Sequence, residues 1–279
     1  MDWSIIEFLA PAIVASLIIA GIHAYLGLHV VERGVIFVDL SLAQIASLGA
    51  TLALLVPAFG GDPHSPSVYW MSLGFTFLGA AIFSMIKGQD AHIPQEAIIG
   101  ISYAVASAAV IVAMSKSSGE SEHLKDMLVG NILSVSPTEV METAALYVGI
   151  GLFHYIYRKR FLLISTNPAA AVAQGISIRL WDFLFYASFG FVVTRSVAIA
   201  GVLLVFCYLI VPSVAAMLYA RRIGPRLVIG WIMGVVVSML GMYFSVLFDL
   251  PTGATIVCTF GLVLILMAMA RPIFARKAA

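Results

Sequence analysis

Charge is scarce in this chain. Asp, Glu, Lys and Arg together make up 10% of its 279 residues, too few to give a water-soluble globule its polar shell. The 15 basic and 14 acidic residues nearly cancel, and the basic ones form no patch suited to nucleic acid. Cysteine is equally sparse. Cys207 and Cys258 sit inside apolar runs, outside any Cys-x-x-Cys or Cys/His spacing, which excludes a disulfide framework and a thiolate metal centre. No Gly-x-x-x-x-Gly-Lys-Ser/Thr loop is present to cradle a nucleotide phosphate. The apolar runs also lack His-Glu-x-x-His and any nucleophile and base pair, which argues against an intramembrane enzyme. A basic leader is missing before the first apolar run, which follows Asp2 and Glu7 and therefore reads as a retained span.

What fills the chain instead is hydrocarbon: 62% of residues are hydrophobic, and the mean hydropathy is +1.05. At about 20 apolar residues per crossing, spans fall near 8–28, 35–56, 68–86, 94–114, 138–157, 181–198, 199–220, 227–248 and 252–270. The expected fold is thus all-α, a polytopic transmembrane helical bundle of eight to nine spans forming a single domain over 1–279. Two places leave the count open. Pro11 can separate a short interfacial helix from the first span, and the junction at Ser196 to Ile199 is tight enough for a re-entrant turn. Basic residues are retained on the cytoplasmic side. Placing Arg158, Lys159, Arg160, Arg179, Arg221, Arg222, Arg226, Arg271, Arg276 and Lys277 inside brings Arg33 and Lys87 with them, twelve of the fifteen. Nine spans then put the N-terminus outside and the C-terminus inside.

Against this background a few polar residues stand out. The run 35–57 is long enough to span yet carries Asp39 and Gln44. A carboxylate in hydrocarbon costs roughly 2.5–3.5 kcal/mol on insertion scales, so it faces a partner helix, a cavity or a transported ion. Between the fifth and sixth spans, 158–180 is too polar and too long for a simple turn. Asn167 can cap a short cytoplasmic helix with Pro168 at its first position and Gly175 closing it, leaving a surface of small residues such as Ala171 for docking against another protein. Asp249 stands before Leu250-Pro251-Thr252-Gly253 at an outer hairpin, where it is a cation-receiving group or a solvated loop residue. Of the six histidines, His23, His29 and His154 lie on or near spans and His64, His92 and His123 in loops, none at metal-binding spacing. The acidic segment with Glu120, Glu122 and Asp126 falls outside, as a docking surface or a solvated loop.

Several segments, in order, carry a family resemblance: Val30-Val-Glu-Arg33 leading into Asp39-Leu-Ser-Leu-Ala-Gln44, Ala97-Ile-Ile-Gly100, and Leu128 to Ser136. They continue with Asn167-Pro-Ala-Ala-Ala-Val-Ala-Gln-Gly175, Gly201-Val-Leu-Leu, Ile210-Val-Pro-Ser-Val-Ala-Ala216 and Asp249-Leu-Pro-Thr-Gly253. Together they make the chain resemble the membrane permease subunit of bacterial zinc and manganese ABC transporters. The resemblance implies a multi-pass protein of the cytoplasmic membrane, working as a homodimer around one pathway. It implies a separate ATP-binding subunit that seats on Asn167, Pro168, Ala171 and Gly175, so that ATP is bound by the partner and no cofactor by this chain. It also implies a periplasmic or lipoprotein solute-binding protein, and a divalent metal ion as cargo, with Asp39, Gln44 and Asp249 as the metal-handling residues.

The second span departs from the family pattern of aspartate followed four residues later by histidine. With the frames aligned, Gln44 stands where the histidine would be and Leu40 where the aspartate would be. At 100° per residue Asp39 and Gln44 are about 140° apart, against about 40° for the usual pair, which opposes joint chelation. An amide carbonyl in place of imidazole also weakens the case for zinc. The competing readings are an ABC permease for an iron chelate, haem or cobalamin, and an ion-gradient-driven transporter in which Asp39 titrates. The second of these calls for inverted repeats, which the sequence does not display.

Overall fold

A computed structural model describes residues 3–56, 65–86, 94–115, 130 and 132–277. His64, His92, His123, Glu120, Glu122, Asp126 and Lys87 lie outside the described residues. Among those described there are eleven α-helices and no strand: α1 (Trp3–Arg33), α2 (Val38–Leu55), α3 (Pro66–Ile86), α4 (Gln95–Met114), α5 (Pro137–Ile156), α6 (Arg158–Thr166), α7 (Pro168–Ala173), α8 (Ile178–Ala200), α9 (Val202–Tyr219), α10 (Ile223–Phe248) and α11 (Thr252–Lys277). Hydrocarbon offers no partner for a peptide group, so a spanning segment must close its hydrogen bonds within itself, and these apolar runs do so as helices.

Among the described residues, eight helices are long and apolar enough to cross a membrane: α1 from Leu9, α2, α3, α4, α8, α9, α10 and α11. At twenty residues α5 has the length of a ninth, but Glu139, Glu142 and His154 dilute its hydropathy. Two expectations at helix boundaries are corrected. Helix α1 runs unbroken through Pro11, and the junction between α8 and α9 falls at Gly201 rather than at Ser196 to Ile199. Gly201 has φ 76°, a left-handed conformation that glycine adopts without a Cβ clash. Gly130, also at positive φ, packs against this corner so closely that a Cβ would lie 2.3 Å from the Gly201 nitrogen.

The helices fall into two compact units. One comprises Met1–Val31, Asp126–Leu152 and Ala198–Ala279. In it α10 packs against both α9 and α11, and α9 also packs on α11. Close approach is licensed by small residues: Gly27 of α1 lies where a Cβ would sit 2.0 Å from the Leu209 carbonyl oxygen, and Gly234 faces Ala20. Polar groups are tied off across the helices: buried Ser238 Oγ donates to Tyr208 Oη at 2.9 Å, and Nε1 of the exposed Trp231 donates to the Gly21 carbonyl at 2.8 Å.

The other unit comprises Glu32–Lys125 and Phe153–Val197. Helix α2 packs against α3 and α4, with Gly49 set against the Met71 carbonyl and Gly79 against Leu42 and Ile45. An aromatic cluster joins α5, α6 and α8: the His154 ring stacks on Phe161 with centroids 4.3 Å apart, and Phe161 meets Trp181 and Phe185. Helix α4 shows the membrane pattern plainly. Ile99, Ala106, Val110 and Met114 are buried along one stripe, while Ile101, Val105 and Val112 on the other faces are 63–70% exposed. Such apolar exposure calls for lipid or another protein against it.

Candidate translocation site

Helix α2 carries a run of buried polar side chains. Asp39, Ser41, Gln44, Ser47 and Thr51 are all buried on it. At 100° per residue Ser41, Gln44, Ser47 and Thr51 share an arc of about 120°, and Asp39 lies about 80° from Ser47 at the edge of that stripe. Asp39 is 1% exposed, and neither of its carboxylate oxygens has a hydrogen-bond partner among the described residues. The hydroxyls of Ser41 and Thr51 are likewise buried without partners among the described residues. Native proteins leave few such groups. Gln44 is 4% exposed. The wide angular separation from Asp39 persists in the folded helix, so the two side chains leave α2 in different directions.

Ser41 and Thr51 escaped the sequence reading, although their spacing from Gln44 and Ser47 already marks one helix face. Among the described residues no three His, Cys, Asp or Glu side chains converge to hold a metal ion. The three described histidines take part in helix packing: His23 Nδ1 lies 2.8 Å from the Ile19 carbonyl, His29 meets the Tyr25 ring edge-on, and His154 Nε2 lies 2.8 Å from Ser188 Oγ.

Asp249 belongs to the first unit, at the end of α10. It is exposed and takes the left-handed conformation at φ 52° and ψ 49°, its N–H donating to the Ser245 carbonyl. Aspartate is among the few non-glycine residues that tolerate this conformation, so a helix-ending role accounts for its type at least as directly as cation binding does.

The segment between α5 and α8 is two helices rather than one. The basic run Arg158-Lys159-Arg160 opens α6, where Arg160 lies over the Trp181 ring at 4.9 Å. Then Asn167 caps α7, its Oδ1 accepting from the Ala170 N–H at 3.0 Å, with Pro168 at the first helical position. Gly175 closes the helix at φ 73°. Its N–H donates to the Val172 carbonyl and that of Ile176 to the Ala171 carbonyl, the paired bonds of a glycine-terminated helix end. Ala171, expected on the docking surface, is fully buried. The outward face consists of Pro168, Ala169, Val172, Ala173 and Gln174.

At the other end of α6 a charge pair is buried. Arg33, at the end of α1, pairs with Asp182 of α8, both side chains fully inaccessible, and its Nε donates to Ser165 Oγ at 2.9 Å. The guanidinium carbon sits 4.1 Å from the centroid of Phe185. Sequence reading assigned Arg33 to a cytoplasmic loop and passed over Asp182. An aspartate within Trp181-Asp-Phe-Leu-Phe-Tyr186 was the available signal.

These features define a multi-pass helical membrane protein with a polar helix in its interior and a short capped helix displayed outside the spans. The model of the ABC 3 transport family matches residues 5–271, and the chain belongs to that family. Among its relatives is the manganese transport system membrane protein MntC of Halalkalibacterium halodurans, 25% identical over 90% of this chain and 83% of that one. The manganese import system permease protein ScaB of Streptococcus gordonii is 23% identical over 95% and 92% of the two chains. The solved structure of PsaBC from Streptococcus pneumoniae in complex with Fab has the same fold, with a TM-score of 0.77 at 24% identity over 93% of this chain and 90% of that one. This chain is accordingly a membrane permease subunit of the ABC type, resident in the bacterial cytoplasmic membrane.

Proposed function

We propose that the chain forms, as a homodimer, the translocation pathway of an importer for a divalent metal ion, manganese foremost. A separate ATPase seats on the exposed face of 167–175, and an extracytoplasmic binding protein delivers the ion at the Asp249 end. ATP is bound and hydrolysed on the ATPase, and this chain carries no cofactor of its own. The observation that carries the reading is Asp39: a carboxylate at 1% exposure with neither oxygen paired among the described residues. A buried charge is stabilised by an opposite charge or by a polar pathway, and a passing cation supplies the first. The donors along α2 are oxygens throughout, from the Asp39 carboxylate, the Gln44 amide and the Ser41 and Thr51 hydroxyls. Hard oxygen donors suit manganese better than zinc, which favours imidazole and thiolate. The names of the manganese relatives point the same way.

The test is ATP-driven uptake into liposomes holding the permease with its ATPase and binding protein, comparing manganese, zinc and iron. Manganese should accumulate, and Asp39→Ala should cut uptake about tenfold or more, the effect of losing roughly 1.4 kcal/mol of ion stabilisation. A complex that hydrolyses ATP but accumulates no bare ion would overturn the free-metal reading and favour a chelated cargo.

A further inference from the structure

We propose that Arg33 is a positioning residue through which the ATPase-docking segment acts on the carboxylate-bearing helix α2. The inference rests on the functional reading above for the roles of α7 and Asp39. Its basis is a polar hub at one end of the second unit. Arg33 donates to Ser165, which precedes the cap residue Asn167 by two positions and itself donates to the Phe161 carbonyl at 2.9 Å. The same guanidinium pairs with Asp182 and stacks on Phe185 of α8. A planar fork of donors can serve several partners at once, which an ammonium cannot do in this geometry.

On the other side Arg33 lies six residues before Asp39, and the intervening turn is pinned. The Phe37 N–H donates to Glu96 Oε1 at 2.9 Å, and the Val38 N–H to the Val35 carbonyl at 3.1 Å. Next to Glu96, Gln95 Nε2 donates to the Phe83 carbonyl at 2.9 Å and to Tyr186 Oη at 3.2 Å. Opening a fully buried charge pair leaves an uncompensated charge in a medium of low dielectric, so the ends of α1, α6 and α8 shift together rather than apart. The joint that permits a shift is Gly34, at φ 68° with open space where a Cβ would be. A displacement of α6 is therefore handed to the start of α2, where Asp39 lies.

The experiment uses the assembled complex and two readouts. Ser165→Ala removes the link to α6 and leaves the Arg33–Asp182 pair intact, and Arg33→Lys keeps the charge but not the fork. In both variants ATP hydrolysis should stay within about twofold of the original chain while manganese moved per ATP falls about tenfold or more, the scale of one hydrogen bond to a charged group. Transport and hydrolysis falling in parallel, or an unchanged ratio, would overturn the proposal.

The second readout needs no cargo. In a Cys207→Ser, Cys258→Ser background, spin labels at Ile36→Cys or at Thr166→Cys, both exposed positions, report mobility when the ATPase is trapped with vanadate. Both labels should respond in the unaltered hub, and Ser165→Ala should silence the label at 36 while that at 166 still responds. A silent label at 36 in the unaltered hub, or one indifferent to Ser165→Ala, sinks the hub. Uptake by the unsubstituted complex judges the metal reading separately.

Discussion

At the scale of single residues, this molecule depends on a few positions where no other side chain fits. Gly27 is the sharpest case, because a methyl group there would meet the Leu209 carbonyl at 2.0 Å, inside any tolerable contact. Gly27→Ala must push α1 away from α9, and overpacking of this kind costs about 1–3 kcal/mol. A lowered melting temperature in detergent, followed by intrinsic fluorescence, is the expected result. Asp249 gives a second test, because its two readings part under substitution. Asp249→Asn keeps the left-handed tolerance and removes the charge, whereas Asp249→Val also strains the backbone by roughly 1–2 kcal/mol. If Asp249 receives the cation, Asn alone should lower uptake at limiting metal while leaving the melting temperature unchanged. If it only ends the helix, Asn should be silent and Val should lower the melting temperature.

At the scale of elements, α7 shows how a six-residue helix is made to stand alone. Every device that sets its bounds is local: the Asn167 cap, proline at the first position and glycine at the close. That is why 167–175 was legible in the sequence. Which of its residues face outward was not legible, since that depends on where α7 lies against the rest of the fold. Asn167→Ala should cost about 1 kcal/mol of local helix stability and reduce ATPase co-purification modestly. Val172→Asp, which places a charge on the outward face at a residue 59% exposed, should abolish co-purification while leaving the permease folded. Retained ATPase binding in Val172→Asp would move the docking surface elsewhere. Helix α2 gives the complementary lesson. Its polar stripe follows helical periodicity and could have been read in full, but the unpaired state of Asp39 is a property of its neighbours.

At the scale of the whole molecule, the exposed apolar faces of α3, α4, α5 and α10 are surface left for lipid and for a second copy of the chain to cover. The proposed homodimer makes a countable prediction. Native mass spectrometry of the transport-competent complex should find two copies of this chain, and a single copy in a complex that moves metal would remove the paired-permease pathway. If the two copies share one pathway, a complex pairing one unaltered chain with one Asp39→Ala chain should transport at a rate between the two pure complexes.

The sequence by itself determined the class of the molecule and the places of its long helices, because hydropathy over about 20 residues and the bias of basic residues are sums over neighbours in the chain. It also determined the ends of α7, for the local reasons given. Only the tertiary structure decided that α8 runs on to Gly201, a corner held by contact with Gly130, some 70 residues earlier in the chain. Only it decided, too, that Arg33 is a buried partner of Asp182, 149 residues away, and not a solvated loop charge. Charge pairing across such separations leaves no periodic trace. It depends on which helix ends the fold brings together, and no window of sequence contains both.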